Sequence, residues 1–170
     1  MWMELALISI VFLAIIILGN NRLGTTIQLF ALQSFILSLA PLLMYPGFHS
    51  VIITISVILL KVILMPLLLF WAIRHVSIRR EVQPLIGYGT TLLLGGILIG
   101  AAFIISSRLD LPVKGAPYLL VPSAFSVIMI GFLLLVSRSK AITQVVGYLV
   151  MENGIFLFAL LLLEKTPLMV

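Results

Sequence analysis

The chain contains no cysteine. That excludes disulfides, thiolate-held iron–sulfur clusters and cysteine nucleophiles. Histidine is nearly absent: His49 and His75 are too few for a haem pair or a dedicated metal site. Charge is scarce too. Only 9% of the 170 residues are charged, against about 25% in a soluble domain. So few charges cannot cover a surface with water-compatible groups, which excludes a soluble fold and a disordered chain. P-loop, GxGxxG, HExxH and nucleophile-elbow motifs are all missing, so an autonomous enzyme is not expected and no catalytic residue is assigned.

What is present is apolar: 63% of residues are hydrophobic, and the mean hydropathy is +1.35. A helix crosses a bilayer core of about 30 Å with about 20 apolar residues. Six runs qualify, near residues 5–18, 23–44, 50–73, 84–106, 117–136 and 141–163. The apolar runs lack a period of two, so strands are not expected. The expectation is an all-α integral membrane protein, one membrane domain over 1–170 with six transmembrane helices and short loops. The first residues, MWMELALISI, lack a basic region and a cleavage site and read as a retained span.

The net charge of +5 is read as topological rather than as a nucleic-acid patch, because the basic residues cluster in short loops. Arg22, Arg74, Arg79, Arg80, Arg138 and Lys140 lie on one side, and Arg108, Lys114 and Lys165 on the other. Positive loops stay in the cytoplasm, so both termini are expected outside.

Two charges fall within spans, each about 17 Å of helix from either end. Lys61 lies in ISVILLKVILMPLLLF and Glu152 in GYLVMENGIFLFA. A charge at a helix centre costs roughly 2.5–3.5 kcal/mol on insertion scales, so each must face protein or water. Lys140, Gln144, Tyr148 and Glu152 recur every fourth residue and form a polar stripe toward mid-membrane, with Asn153 beside it. The stripe reads either as a proton path to Glu152 or as a hydrogen-bonded helix seam. Lys61 and Glu152 read either as a static neutralising pair or as separate stations on a proton path. Pro66 should kink the third helix about a turn after Lys61. In the second helix, Thr25, Thr26, Gln28, Gln33, Ser34 and Ser38 either glue helices or hold water. Gly96 and Gly100 form a GxxxG packing pattern.

The sixth run, RSKAITQVVGYLVMENGIFLFALLL, resembles component E of hydrogenase-4-type complexes, which are membrane-bound group 4 [NiFe] hydrogenases and formate hydrogenlyases. It is also similar to the K subunit of complex I and the C subunit of Mrp-type antiporters, where a basic loop precedes a G-L-E-x-M-x-N helix. Gly147, Met151 and Asn153 match that pattern. The family glutamate falls on Leu149, and Glu152 lies three residues on, on nearly the same face. The first hairpin resembles the same unit, with Arg22 in the basic loop and Gln33 where the acid would be. Lys61 falls near the K subunit's other acid. The resemblance implies a non-catalytic subunit without a cofactor of its own, in the cytoplasmic membrane of a bacterium or archaeon. Its expected partners are large antiporter-like subunits and the membrane anchor of a redox arm, with nickel–iron and iron–sulfur centres held only by partner subunits. The implied role is proton or sodium translocation, with Glu152, Lys61, Tyr148, Gln144, Lys140, Gln33 and Asn153 as path candidates. The alternatives are an Mrp-type antiporter subunit and a structural spacer.

Overall fold

A computed structural model describes residues 2–76, 85–109 and 117–163. In a bilayer every backbone polar group must be satisfied within the protein, and continuous apolar runs achieve this as helices. The described residues contain six helices long and apolar enough to cross a membrane: Trp2–Gly19, Leu23–Met44, Phe48–His75, Tyr88–Arg108, Leu120–Ser137 and Ala141–Leu161. No strand occurs among them. These are called the first to sixth spans below.

Their ends differ from expectation where local hydrogen bonding decides. The fifth span begins at Leu120 rather than at 117. Pro117 sits in a turn before it, its carbonyl accepting from the Leu120 N–H at 3.0 Å. The fourth begins at Tyr88; of the expected start, Pro84 lies outside the described residues, and the chain just after it is not helical. The basic residues Arg79, Arg80, Lys114 and Lys165 also lie outside them.

Four spans make the core. The first packs on the second and fifth, and the sixth packs on the second and, most extensively, on the fifth. Leu7, Ile10 and Ile17 meet Ile27, Phe30 and Leu37 of the second span, Val127, Ile130 and Leu134 of the fifth, and Val146, Val150 and Leu157 of the sixth. Spacings of three, four and seven put each set on one helix face. The third span lies along the second, touching the sixth, while the fourth lies along the fifth and first. These two flanking spans are only 17% buried, against 61% for the fifth. Their outward residues, such as Leu59, Trp71, Leu93 and Ile97, are apolar, as a lipid-facing surface requires.

The fifth and sixth spans approach backbone to backbone. A Cβ at Gly131 would lie 2.7 Å from the Met151 Cα, one at Gly147 2.7 Å from the Leu135 nitrogen, and one at Gly154 2.7 Å from the Ile128 nitrogen. Only glycine permits that approach. Gly96 and Gly100, the pair singled out by spacing, meet nothing within 4 Å among the described residues; it is their neighbour Gly95 that packs, against Leu18.

Two spans are interrupted. The second breaks at Leu39, between helices Leu23–Ser38 and Ala40–Met44. Pro41 has no N–H for the Leu37 carbonyl. The Ser38 carbonyl beside the break accepts from the Thr54 hydroxyl of the third span at 2.8 Å. This break was not anticipated, although Pro41 is its sequence sign. The third span carries a π-helical stretch, Ile58–Leu64, where the Met65 N–H bonds the Leu60 carbonyl five residues back. The distortion expected near Pro66 is therefore a widened turn that contains Lys61. A wider turn gives the proline ring room beside the preceding carbonyls.

Candidate functional site

The polar groups of four spans meet near the middle of their lengths. Asn153 of the sixth span is fully buried. Its Nδ2 donates to Gln33 Oε1 at 3.2 Å and to Ser34 Oγ at 3.0 Å, both on the second span. Gln33 Nε2 donates to the Ile10 carbonyl of the first span at 3.0 Å, using that oxygen's second lone pair. On its other side, Asn153 Oδ1 accepts from Lys61 Nζ of the third span at 3.0 Å. The same ammonium lies 3.2 Å from Glu152 Oε1. The Phe156 ring stands 5.9 Å from it, within cation–π range. The result is one continuous hydrogen-bonded line, from the Ile10 carbonyl through Gln33, Asn153 and Lys61 to Glu152.

The helices dictate this line. Gln33 and Ser34 are neighbours on the second span's inner face, flanked by buried Phe30 and Leu37. Asn153 lies between Val150 and Leu157 on the sixth span's inner face. The π stretch carries Lys61, whose side chain is 12% exposed. Gln33 and Ser34 therefore act as both glue and links of the line, since they join the first, second and sixth spans.

The two charges expected either to neutralise each other or to stand apart are in fact paired. The pair is not closed off, because the Glu152 side chain is 43% exposed on the outer face of the bundle. The rest of the stripe also opens outward. Tyr148 is 53% exposed, Lys140 is half-buried, and Gln144 spends its amide on the Arg138 carbonyl at 2.9 Å. Among the described residues the stripe is a lateral surface and encloses no channel. Of its members, Glu152 alone reaches the buried line.

Arg138 lies in the loop after the fifth span, as expected, but it is fully buried there. Its Nη2 donates to the Leu18 carbonyl at the end of the first span. Its guanidinium lies 4.2 Å over the Tyr88 ring at the start of the fourth. The N–H of Leu85 bonds the adjacent Ser137 carbonyl at 3.0 Å. Arg138 thus ties three spans together at one end of the bundle, as a planar, always-charged fork can. Nothing in its Ser-Arg-Ser-Lys context distinguishes it from a solvated loop arginine.

No family model matches the chain. It is 29% identical over 168 residues to the uncharacterized protein Rv0085 of Mycobacterium tuberculosis, covering 95% of this chain and 76% of that one. It is 27% identical over 112 residues to hydrogenase-4 component E of Escherichia coli K12 and of Shigella flexneri. That match covers 66% of this chain and 52% of theirs, so the chain spans about half the length of those components. No solved structure matches.

Proposed function

We propose that the chain is a non-catalytic membrane subunit of an energy-converting, complex I-like hydrogenase complex, and that it helps move protons or sodium ions across the cytoplasmic membrane. The observation that carries this is the Lys61–Glu152 pair. An ionisable carboxylate is half-open on the outer face at mid-membrane and is wired through Lys61 and Asn153 into the core of the bundle. Intramembrane ionisable groups of this kind mark ion pathways, and lipid does not solvate them. A partner subunit covering Glu152 would complete the site and extend the outward stripe of Lys140, Gln144 and Tyr148. The distant similarity to hydrogenase-4 component E supports the choice of complex. In this reading the redox centres belong to partner subunits, the neighbours are antiporter-like subunits and the anchor of a redox arm, and both termini face outside. The relationship to the complex I K subunit and the Mrp C subunit is part of the same proposal.

A second reading is favoured by the same ion pair: a spacer whose two charges only neutralise each other. One set of variants separates the two. Glu152→Gln keeps shape and hydrogen bonding but removes the titrating group. The expected outcome is an assembled complex with reduced proton uptake into inverted vesicles. The spacer reading expects lost assembly in Glu152→Gln, from leaving a buried ammonium uncompensated at up to about 3–5 kcal/mol, and its recovery in Lys61→Met with Glu152→Gln. Assembly with undiminished uptake would remove the proton-path role. Purification in mild detergent tells the complexes apart. Nickel–iron and iron–sulfur chains should accompany this subunit, whereas antiporter chains alone would indicate an Mrp-type assembly.

A further inference from the structure

Two oxygens converge on the Lys61 ammonium: Asn153 Oδ1 at 3.0 Å and Glu152 Oε1 at 3.2 Å. The amide oxygen is held in that direction. Asn153 Nδ2 is committed to Gln33 and Ser34, and Gln33 is itself anchored on the Ile10 carbonyl. The network leaves the Asn153 side chain one orientation, oxygen toward Lys61. A carboxylate oxygen and a fixed amide oxygen are the donors a hard metal cation selects. Here a tethered cation occupies the point where they meet. A lysine ammonium is a compact point charge with three donors and no acceptor, so it satisfies both oxygens.

We propose that Lys61 fills a monovalent-cation site made by Glu152 and Asn153 with its own ammonium, and thereby makes this subunit selective for protons over sodium ions. A sodium ion can reach these oxygens only by displacing the ammonium or by standing beside a like charge in a low-dielectric surrounding, where repulsion is strong. A proton faces neither obstacle. The exposed side of the Glu152 carboxylate accepts it from the outer face while Lys61 keeps its place. This inference rests on the reading of the chain as an ion-translocating subunit and names the ion for it.

The test reads occupancy of Glu152 without requiring transport. The full chain, reconstituted in bilayer discs, is treated with a hydrophobic carbodiimide, and modification of Glu152 is followed by mass spectrometry in sodium chloride or choline chloride. The wild-type labelling rate is expected to be the same in both salts, and Lys61→Arg should behave likewise. In Lys61→Met the two oxygens lose their tethered cation, and sodium should slow labelling severalfold relative to choline. Lys61→Gln, which stays polar, repeats the measurement should the methionine variant fail to fold. Sodium protection of the wild type would overturn the proposal, as would equal rates in both salts for the neutral variants. If neither neutral variant folds, the wild-type comparison decides, with indifference to sodium supporting the assignment. Unchanged proton uptake in Glu152→Gln is a separate failure. It would remove the translocating role and leave the labelling result standing for the site alone.

Discussion

Asn153 is the residue through which the others meet. It gives two hydrogen bonds to the second span and receives one from the third. Leucine at this position would keep the bulk but orphan Gln33 Oε1 and leave Lys61 with Glu152 alone. A buried polar group left unmade costs about 1–3 kcal/mol. Asn153→Leu should therefore lower the unfolding temperature in detergent by several degrees, while Tyr148→Leu, on the exposed stripe four residues before Glu152, should barely change it. Equal midpoints for the two variants would mean that the line adds nothing to stability. The residues of this line were mostly legible, because a charge or amide in an apolar run stands out wherever it falls. Their partners were less so: the Lys61–Glu152 pair stood as one of two readings, and the contacts of Asn153 had no sign in the sequence. Lys61 and Asn153 are 92 residues apart, and helix periodicity says nothing about which faces meet over that distance. The Ile10 carbonyl could not be found at all, since every residue has one.

At the scale of single helices, the fifth and sixth spans depend on glycine where their backbones touch. Gly147→Val puts side-chain atoms against the Leu135 backbone, and overpacking costs about 1–3 kcal/mol or more where the backbone must move. Gly100→Val meets open space among the described residues. The expected result is a large loss of folded yield for Gly147→Val and a negligible one for Gly100→Val. The reverse order would contradict the hairpin geometry. The GxxxG pattern pointed to the wrong pair because spacing shows that a close approach is possible, while the tertiary arrangement decides where it happens. The six spans themselves were legible, since apolar length alone specifies them. The interruptions were only half so. Pro66 announced a distortion but not that it would be a π-helical turn around Lys61, and Pro41 broke the second span inside a run apolar enough to look continuous.

At the scale of the molecule, four spans form a core and two flank it on opposite edges, so the chain offers two largely apolar sides to its surroundings. Its orientation is predicted from loop charge. With Arg138 buried as a structural tie, five basic loop residues remain against three on the opposite side. The bias keeps its sign, so both ends should face outward. A reporter active only in the cytoplasm should stay silent when fused after Val170 and be active when inserted after Arg22; the opposite pattern would invert the topology. The midplane line carries a further consequence, for the order of synthesis. Lys61 leaves the ribosome 92 residues before Asn153, with Glu152 just ahead of it. At about 5–20 residues per second, the ammonium waits roughly 5–20 s for its oxygens. Over that interval the nascent third span holds an uncompensated charge, and Gln33 and Ser34 lack their amide partner. Completion of the third span's polar contacts is thus tied to the arrival of the sixth, whose synthesis sets the pace for the spans made before it.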